Sequence, residues 1–174
     1  MLAVRLSIAL ATLLLASSLA LAQGAKLTDP QIAHIAYTAS VIDIKAAQLA
    51  LKKSKTKDVI AFAKDMVRDH SAVNKKALAL VKKLKVTPED NGTSKGLIRE
   101  EDGEQTSLAK LKGNGFDRAY AANEVAYHKM VNGTLKTVLI PSATNPELKD
   151  LLSTGLKIFE GHQQHAEHLV ETLK

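Results

Sequence analysis

Along most of this chain apolar residues return at alternating steps of three and four, the spacing of one face of an α-helix. The first such stretch opens on Thr28-Asp29-Pro30, with Thr28 or Asp29 placed to cap it and Pro30 in the first turn, where a missing N–H costs nothing. Ile32, Ile35, Ala39, Ile42, Ala46 and Leu49 then form one seam, which ends in Lys52-Lys53-Ser54-Lys55. A second helix is predicted from near Thr56, with Asp58 in its positive first turn and the seam Val59, Ala63, Met66, His70, Val73, Ala77, Leu80, Leu84. Pro88 and the polar residues 89–94 interrupt the pattern, and residues 97–111 are expected to hold at most one or two short helices. Gly113-Asn114-Gly115 predicts a turn. A third long helix follows over residues 116–139, with Phe116, Tyr120, Tyr127, Val131, Leu135 and Val138 inward. After a break between Pro141 and Pro146, the last helix runs to about Leu173 on the seam Leu148, Leu152, Gly155, Phe159, His162, Ala166, Leu169, Leu173.

Four long amphipathic helices, with a long crossover between the second and third, predict an all-α four-helix bundle closing one core. Composition agrees, since Ala, Leu and Lys dominate while Phe and Tyr number three each and Trp is absent. The first two dozen residues do not share the pattern. A short positive end at Arg5, an apolar run over residues 6–21 and small residues at Ala20 and Ala22 are the grammar of a cleavable secretory signal. Residues 1–22 are therefore expected to be removed, leaving a single domain over 23–174 that is periplasmic or secreted, with no transmembrane segment after cleavage. Arg5 is the only charged residue lost, so the net charge falls by one from +6. A chain of this size buries enough surface to fold without staples. The absence of cysteine rules out disulfides, thiolate metal sites and attachment of lipid to a terminal cysteine.

Two histidines stand in otherwise apolar seams, His70 and His162. On the third helix Glu124 and His128 are four apart, hence on one face, and on the first helix Asp43 is the acidic group beside the seam. A buried imidazole needs a hydrogen-bond partner or a metal, because an unpaired buried polar group costs roughly 1 to 3 kcal/mol. His70, His128, His162, Glu124 and Asp43 thus admit two readings. One is a core site suited to iron, manganese or zinc. The other, the more economical on the residues alone, is a buried polar network that fixes helix register. The Glu-x-x-His pair of di-iron carboxylate bundles is absent, which argues against an oxidase or iron-storage role. His162, His165 and His168 fall at helical near-neighbour spacing, read as a solvated face, and His34 has no evident partner.

Lysines cluster at 52–57, 75–76 and 82–85, which offers peripheral contact with anionic lipid or envelope polymers as the alternative role, that of a structural or interaction protein. Nucleic acid is not expected, given export and few aromatics. There is no phosphate loop, nucleophile elbow or zinc-protease helix, so no catalytic residues are assigned.

The run Phe62-Ala63-Lys64-Asp65-Met66-Val67-Arg68-Asp69-His70, the pair of segments Phe116-Asp117-Arg118-Ala119-Tyr120 and Val125-Ala126-Tyr127-His128, and His162 with Ala166 resemble a bacterial envelope family of unknown function, often labelled an outer-membrane protein. The resemblance spans about residues 27–173. It implies a ferritin-like fold behind a signal peptide, with His70, His128 and His162 at the family's characteristic histidine positions. It implies no known activity, though a link to envelope stress is one expectation. Asp43 stands where the family commonly has glutamate and Lys157 where proline often precedes the last-helix histidine. A membrane-spanning barrel would need strands of alternating polarity, so any membrane link of this helical chain is expected to be peripheral.

Overall fold

A computed structural model describes residues 26–173, and the predicted signal peptide lies outside the described residues. Those residues are helical, with no strand among them: α1 (Asp29–Lys53), α2 (Lys57–Leu84), α3 (Gly92–Lys110), α4 (Gly113–Thr134), a π-helical turn (Leu135–Leu139), α5 (Ile140–Ser142) and α6 (Pro146–Thr172). None of these helices is long and apolar enough to cross a membrane.

Side-chain ties fix how the helices run. At one end, Asp29 at the start of α1 accepts from the backbone N–H and hydroxyl of Thr144 and from the N–H of Asn145, just before α6. Lys83 near the end of α2 pairs with Glu147 in the first turn of α6, and Asn91, which caps α3, donates to the carbonyl of Gln31 in α1. At the other end, Lys53 donates to the carbonyl of Ala109 near the end of α3, and Thr56 before α2 donates to Asp117 at the start of α4. So α1 and α6 run one way and α2 and α4 the other. The crossover from α2 to α4 is made by α3, which lies along α1.

That crossover is more regular than the sequence suggested, because α3 is one helix of 19 residues. The Asn91 side chain accepts from the Ser94 N–H while Ser94 satisfies the Asn91 N–H, a reciprocal cap that starts the helix. Its inward face is thin, with Ser94, Glu101 and Leu108 buried, and Gly96 and Gly103 lower its propensity. Those glycines and the single large apolar residue hid the period. Of the two caps open to α1, Thr28 serves, in a box with Gln31. Two smaller corrections follow. Gly113-Asn114-Gly115 forms the first turn of α4 rather than a separate loop, Gly113 taking a left-handed φ of 53°. Val138, expected inward, is 42% exposed and Leu139 is buried in its stead. The offset begins upstream, where His128 and Asn132 are buried and Tyr127 and Val131 only half-buried, and it continues through the π turn, in which the Ile140 N–H reaches back five residues to the Leu135 carbonyl.

The apolar core falls into two groups. One, toward the α1–α2 turn, gathers Phe62, Met66, Phe116, Tyr120 and Leu169 around the alanines of α1. The other, toward the start of α6, gathers Ile32, Ile35, Leu135, Leu148, Leu152 and Phe159. Between them every long helix carries a buried polar residue: Asp43 on α1, His70 on α2, Glu124 and His128 on α4, His162 on α6. A polar layer at matching height on four helices is where the core departs from ordinary packing.

Candidate metal centre

The structure brings all five candidate residues into this layer. One donor atom from each of His70, His128 and His162 lies within 4.8 Å of the other two, and the same holds for Asp43, Glu124 and His128, so His128 belongs to both sets. His70 Nε2 is 3.2 Å and His128 Nε2 3.6 Å from the same oxygen, Asp43 Oδ2. The three rings have centroids 5.3 to 5.9 Å apart, and Phe159 stacks on His70 at 4.3 Å, walling the group off on one side. His165 instead packs edge-on against Phe62, and His34 and His168 join neither set.

The hydrogen bonds around the layer decide which ring nitrogens carry protons. Ser40 Oγ lies 3.0 Å from His70 Nδ1 and 3.3 Å from the His70 carbonyl, and both contacts are satisfied together when Nδ1–H donates to the hydroxyl and the hydroxyl to the carbonyl. His128 Nδ1 sits 3.0 Å from the Glu124 carbonyl, which can only accept, so that nitrogen also donates. His162 Nε2 donates to Asp69 Oδ2 at 3.0 Å, and the Arg68 guanidinium beside Asp69 holds that carboxyl below the usual carboxylate range, hence ionised. The remaining nitrogens are His70 Nε2, His128 Nε2 and His162 Nδ1. All three are buried, and none has a hydrogen-bond partner among the described residues. We expect imidazole nitrogen NMR shifts in the metal-free protein to show Nδ1–H forms for His70 and His128 and the Nε2–H form for His162. The opposite tautomer at any of them would undo this assignment.

Burial sets the charges. It lowers His70 well below an ordinary histidine, helped by the neighbouring His128. It also takes His128 down to about 4 and lowers His162, where Asp69 works against it. Burial likewise pushes Asp43 up to about 8, although a hydrogen bond from Glu124 opposes the rise. Glu124, 0% exposed, is raised well above its normal value by burial and then by the charge of Asp43. Neutral imidazoles thus face carboxyls that are largely protonated at neutral pH. The 3.2 Å approach of His70 Nε2 to Asp43 Oδ2 is for that reason within reach of a hydrogen bond from the protonated carboxyl rather than an ion pair. Such a donor set could hold a cation, its binding coupled to release of the carboxyl proton.

Sequence reasoning missed two residues of this arrangement, Asp69 and Ser40. Both had a signal. Ser40 precedes Asp43 by three, on the same face of α1, and Asp69 adjoins His70 on the flank of α2 that meets α6. Outer partners of this kind fix the tautomer and orientation of ligating histidines.

Comparison with known proteins gives a family and a fold. The family described as "Domain of unknown function (DUF4142)" matches residues 15–169. No curated protein sequence matches the chain. Among solved structures, one titled "CopM in the Cu(II)-bound form" superposes with a TM-score of 0.65 at 14% identity, covering 86% of this chain and 99% of that one.

Proposed function

The chain belongs to the DUF4142 family of domains of unknown function, and on that premise we propose that it is an exported, ferritin-like four-helix bundle that holds one divalent transition-metal ion. The ligands are His70 Nε2, His128 Nε2, His162 Nδ1 and the Asp43 carboxylate, with Glu124 behind Asp43. Residues 1–22 serve as the signal peptide and 23–174 as the binding domain, so the ion is met outside the cytoplasm. The role is capture and holding of metal, in keeping with a part in envelope stress, rather than catalysis.

The observation that carries this reading is the convergence of three buried imidazoles, each offering a donor atom within 4.8 Å of the others, with His128 Nε2 and His162 Nδ1 unpartnered and His70 Nε2 facing only the Asp43 carboxyl. A network built only to hold register would pair those atoms, because each orphan costs roughly 1 to 3 kcal/mol. The spacing also suits a metal. Bonds of about 2.0 to 2.1 Å in a tetrahedral site put ligand atoms about 3.3 Å apart, and the two measured approaches to Asp43 Oδ2 are 3.2 and 3.6 Å. Imidazole donors suit zinc, iron and copper, and affinity for such a site rises from manganese through iron to copper. The copper-bound form of the structurally similar CopM adds weight to copper.

The test is the metal content of the protein, expressed as the full chain and purified without chelator, followed by thermal melts with copper, zinc, iron and manganese. Close to one ion per chain is expected. Metal at a hundred times its dissociation constant should stabilise the fold by about 2.7 kcal/mol, roughly 5 to 10 °C for a domain this long. Copper should act at the lowest concentration and manganese at the highest. A metal-free protein whose melting no metal shifts would make the histidines structural. The exposed lysines of α1 and α2 would then become the leading feature, as a face for anionic envelope polymers.

A further inference from the structure

Beside the polar layer, on the side toward the start of α6, lies a cavity of about 90 Å³ between α1, α2, α4 and α6. Its walls are aliphatic, supplied by residues such as Leu80, Val81, Leu135, Leu148 and Leu152. This accounts for an oddity of α2. Val73, Leu80 and Val81 pack against the second core group yet are only half-buried, because each also borders this space. The polarity of the cavity is concentrated at one place. Asp43, His70 and Ser40 meet it where it reaches the polar layer, joined by Asn74, one turn along α2 from His70 and 8% exposed.

We propose that this cavity binds a small amphiphile, a single ring or a chain of a few carbons, with one hydrogen-bonding head directed at Asn74 and the His70–Asp43 floor. A cavity with aliphatic walls holds water poorly, and one of order 150 Å³ lined by such residues takes up benzene. The smaller volume here sets the limit at one ring. Ligand sites in general join an apolar body to a few polar groups that fix orientation, and they form between the helices of bundles. Gly155 helps to keep the space open. A Cβ there would sit 3.5 Å from Phe159 Cε2 and 3.9 Å from Val73 Cγ1, ordinary contact distances, so the position admits a side chain and a long one would occupy the void. Ala77 borders the same space from α2. The inference goes beyond the metal reading and does not depend on it.

Phenol and benzene are the probes, titrated calorimetrically into the protein in EDTA. Phenol should bind saturably, benzene about tenfold more weakly for want of a head. Gly155→Leu and Ala77→Leu, which fill the cavity from different helices, should each weaken phenol at least tenfold. Asn74→Leu should bring phenol down to the level of benzene. Thermal melts confirm that each variant folds, and nuclear Overhauser contacts from phenol to the methyls of Leu80 and Leu148 in the wild-type protein give a readout independent of any substitution. Phenol that does not saturate, binds the filled variants undiminished or contacts other methyls would overturn the proposal. Because EDTA is present, phenol binding stands even if no metal does, and a protein that takes up metal in the separate assay yet ignores phenol in EDTA sinks this inference alone.

Discussion

Replacing His128 with leucine should abolish metal binding while leaving the metal-free protein at least as stable as the wild type. His128 is the residue common to both donor sets, so its loss breaks both and leaves His70, His162 and Asp43 one ligand short of a closed tetrahedral site. Its ring is 1% exposed, and its Nε2 has no hydrogen-bond partner. Leucine fills a similar volume and removes that orphan, and eliminating a buried unsatisfied polar atom recovers roughly 1 to 3 kcal/mol. The Nδ1 bond lost with it goes to the carbonyl of Glu124, which lies within α4 and keeps its helical bond. In chelator the variant should melt at or above the wild type. With zinc or copper in excess the wild type should gain the roughly 5 to 10 °C already expected and the variant nothing. A variant that retains a metal-dependent shift would remove His128 from the site. One that is much less stable in chelator would show that the imidazole is a structural asset in its own right.

The second large effect is on pH dependence: metal-free stability should fall as pH rises above 6.5 while metal affinity climbs, so that bound metal flattens the fall. In the metal-free fold His128 is held at about 4, against about 6.5 in an unfolded chain. As pH falls through that window the unfolded chain takes up the proton first and stability is lost, about 3 kcal/mol from this residue by pH 4. His70 is lowered as well, by burial first, and acts in the same direction. The carboxyls do the opposite. Asp43 is pushed up to about 8 with Glu124 and Glu101 facing it, and Glu124 is raised too. The unfolded carboxylates ionise near pH 4, so stability falls as pH rises from there toward 8. The imidazole and carboxyl contributions nearly cancel between pH 4 and 6.5. Above 6.5 only the carboxyls remain, and metal-free stability should drop by about 1.4 kcal/mol per pH unit for each one involved. Metal requires the Asp43 carboxylate, so binding releases that proton and affinity should rise about tenfold per pH unit up to 8. Urea unfolding at pH 5, 6.5 and 7.5, with EDTA or with zinc, measures both slopes. Metal-free stability that climbs from 6.5 to 7.5, or zinc affinity that ignores pH, would contradict the charge states assigned to the layer. Asp43→Asn should flatten the metal-free slope and halt the proton release.

The long helices and the five polar positions were readable in the sequence because each is a local signal. A histidine in an aliphatic row stands out within a few residues, and helical period alone tells that Asp43, His70, His128 and His162 lean inward. Their common height was not readable, since it depends on how far each helix slides past its neighbours, and here that is set by distant ties such as Asp29 to Thr144 and Lys83 to Glu147. The proton positions were hidden for the same reason, as they depend on Asp69 reaching His162 across 93 residues of chain. The crossover helix escaped because its cap is a local signal but its buried face is one leucine among polar residues and glycines.

The π turn carries a consequence for how this chain compares with its relatives. A turn of that kind is an α-helix with one residue inserted, and of the two positions, three and four after Leu135, that share its face, the second, Leu139, is buried. A relative lacking one residue anywhere in 135–139 would therefore build the same inward face as a continuous helix, with its leucine three positions after the counterpart of Leu135. His128 lies upstream of the insertion, and α6 is reached only after the loop that follows it. A one-residue gap at this point of an alignment is thus neutral for the polar layer, and scoring it as damage to the site would misjudge which family members share the centre.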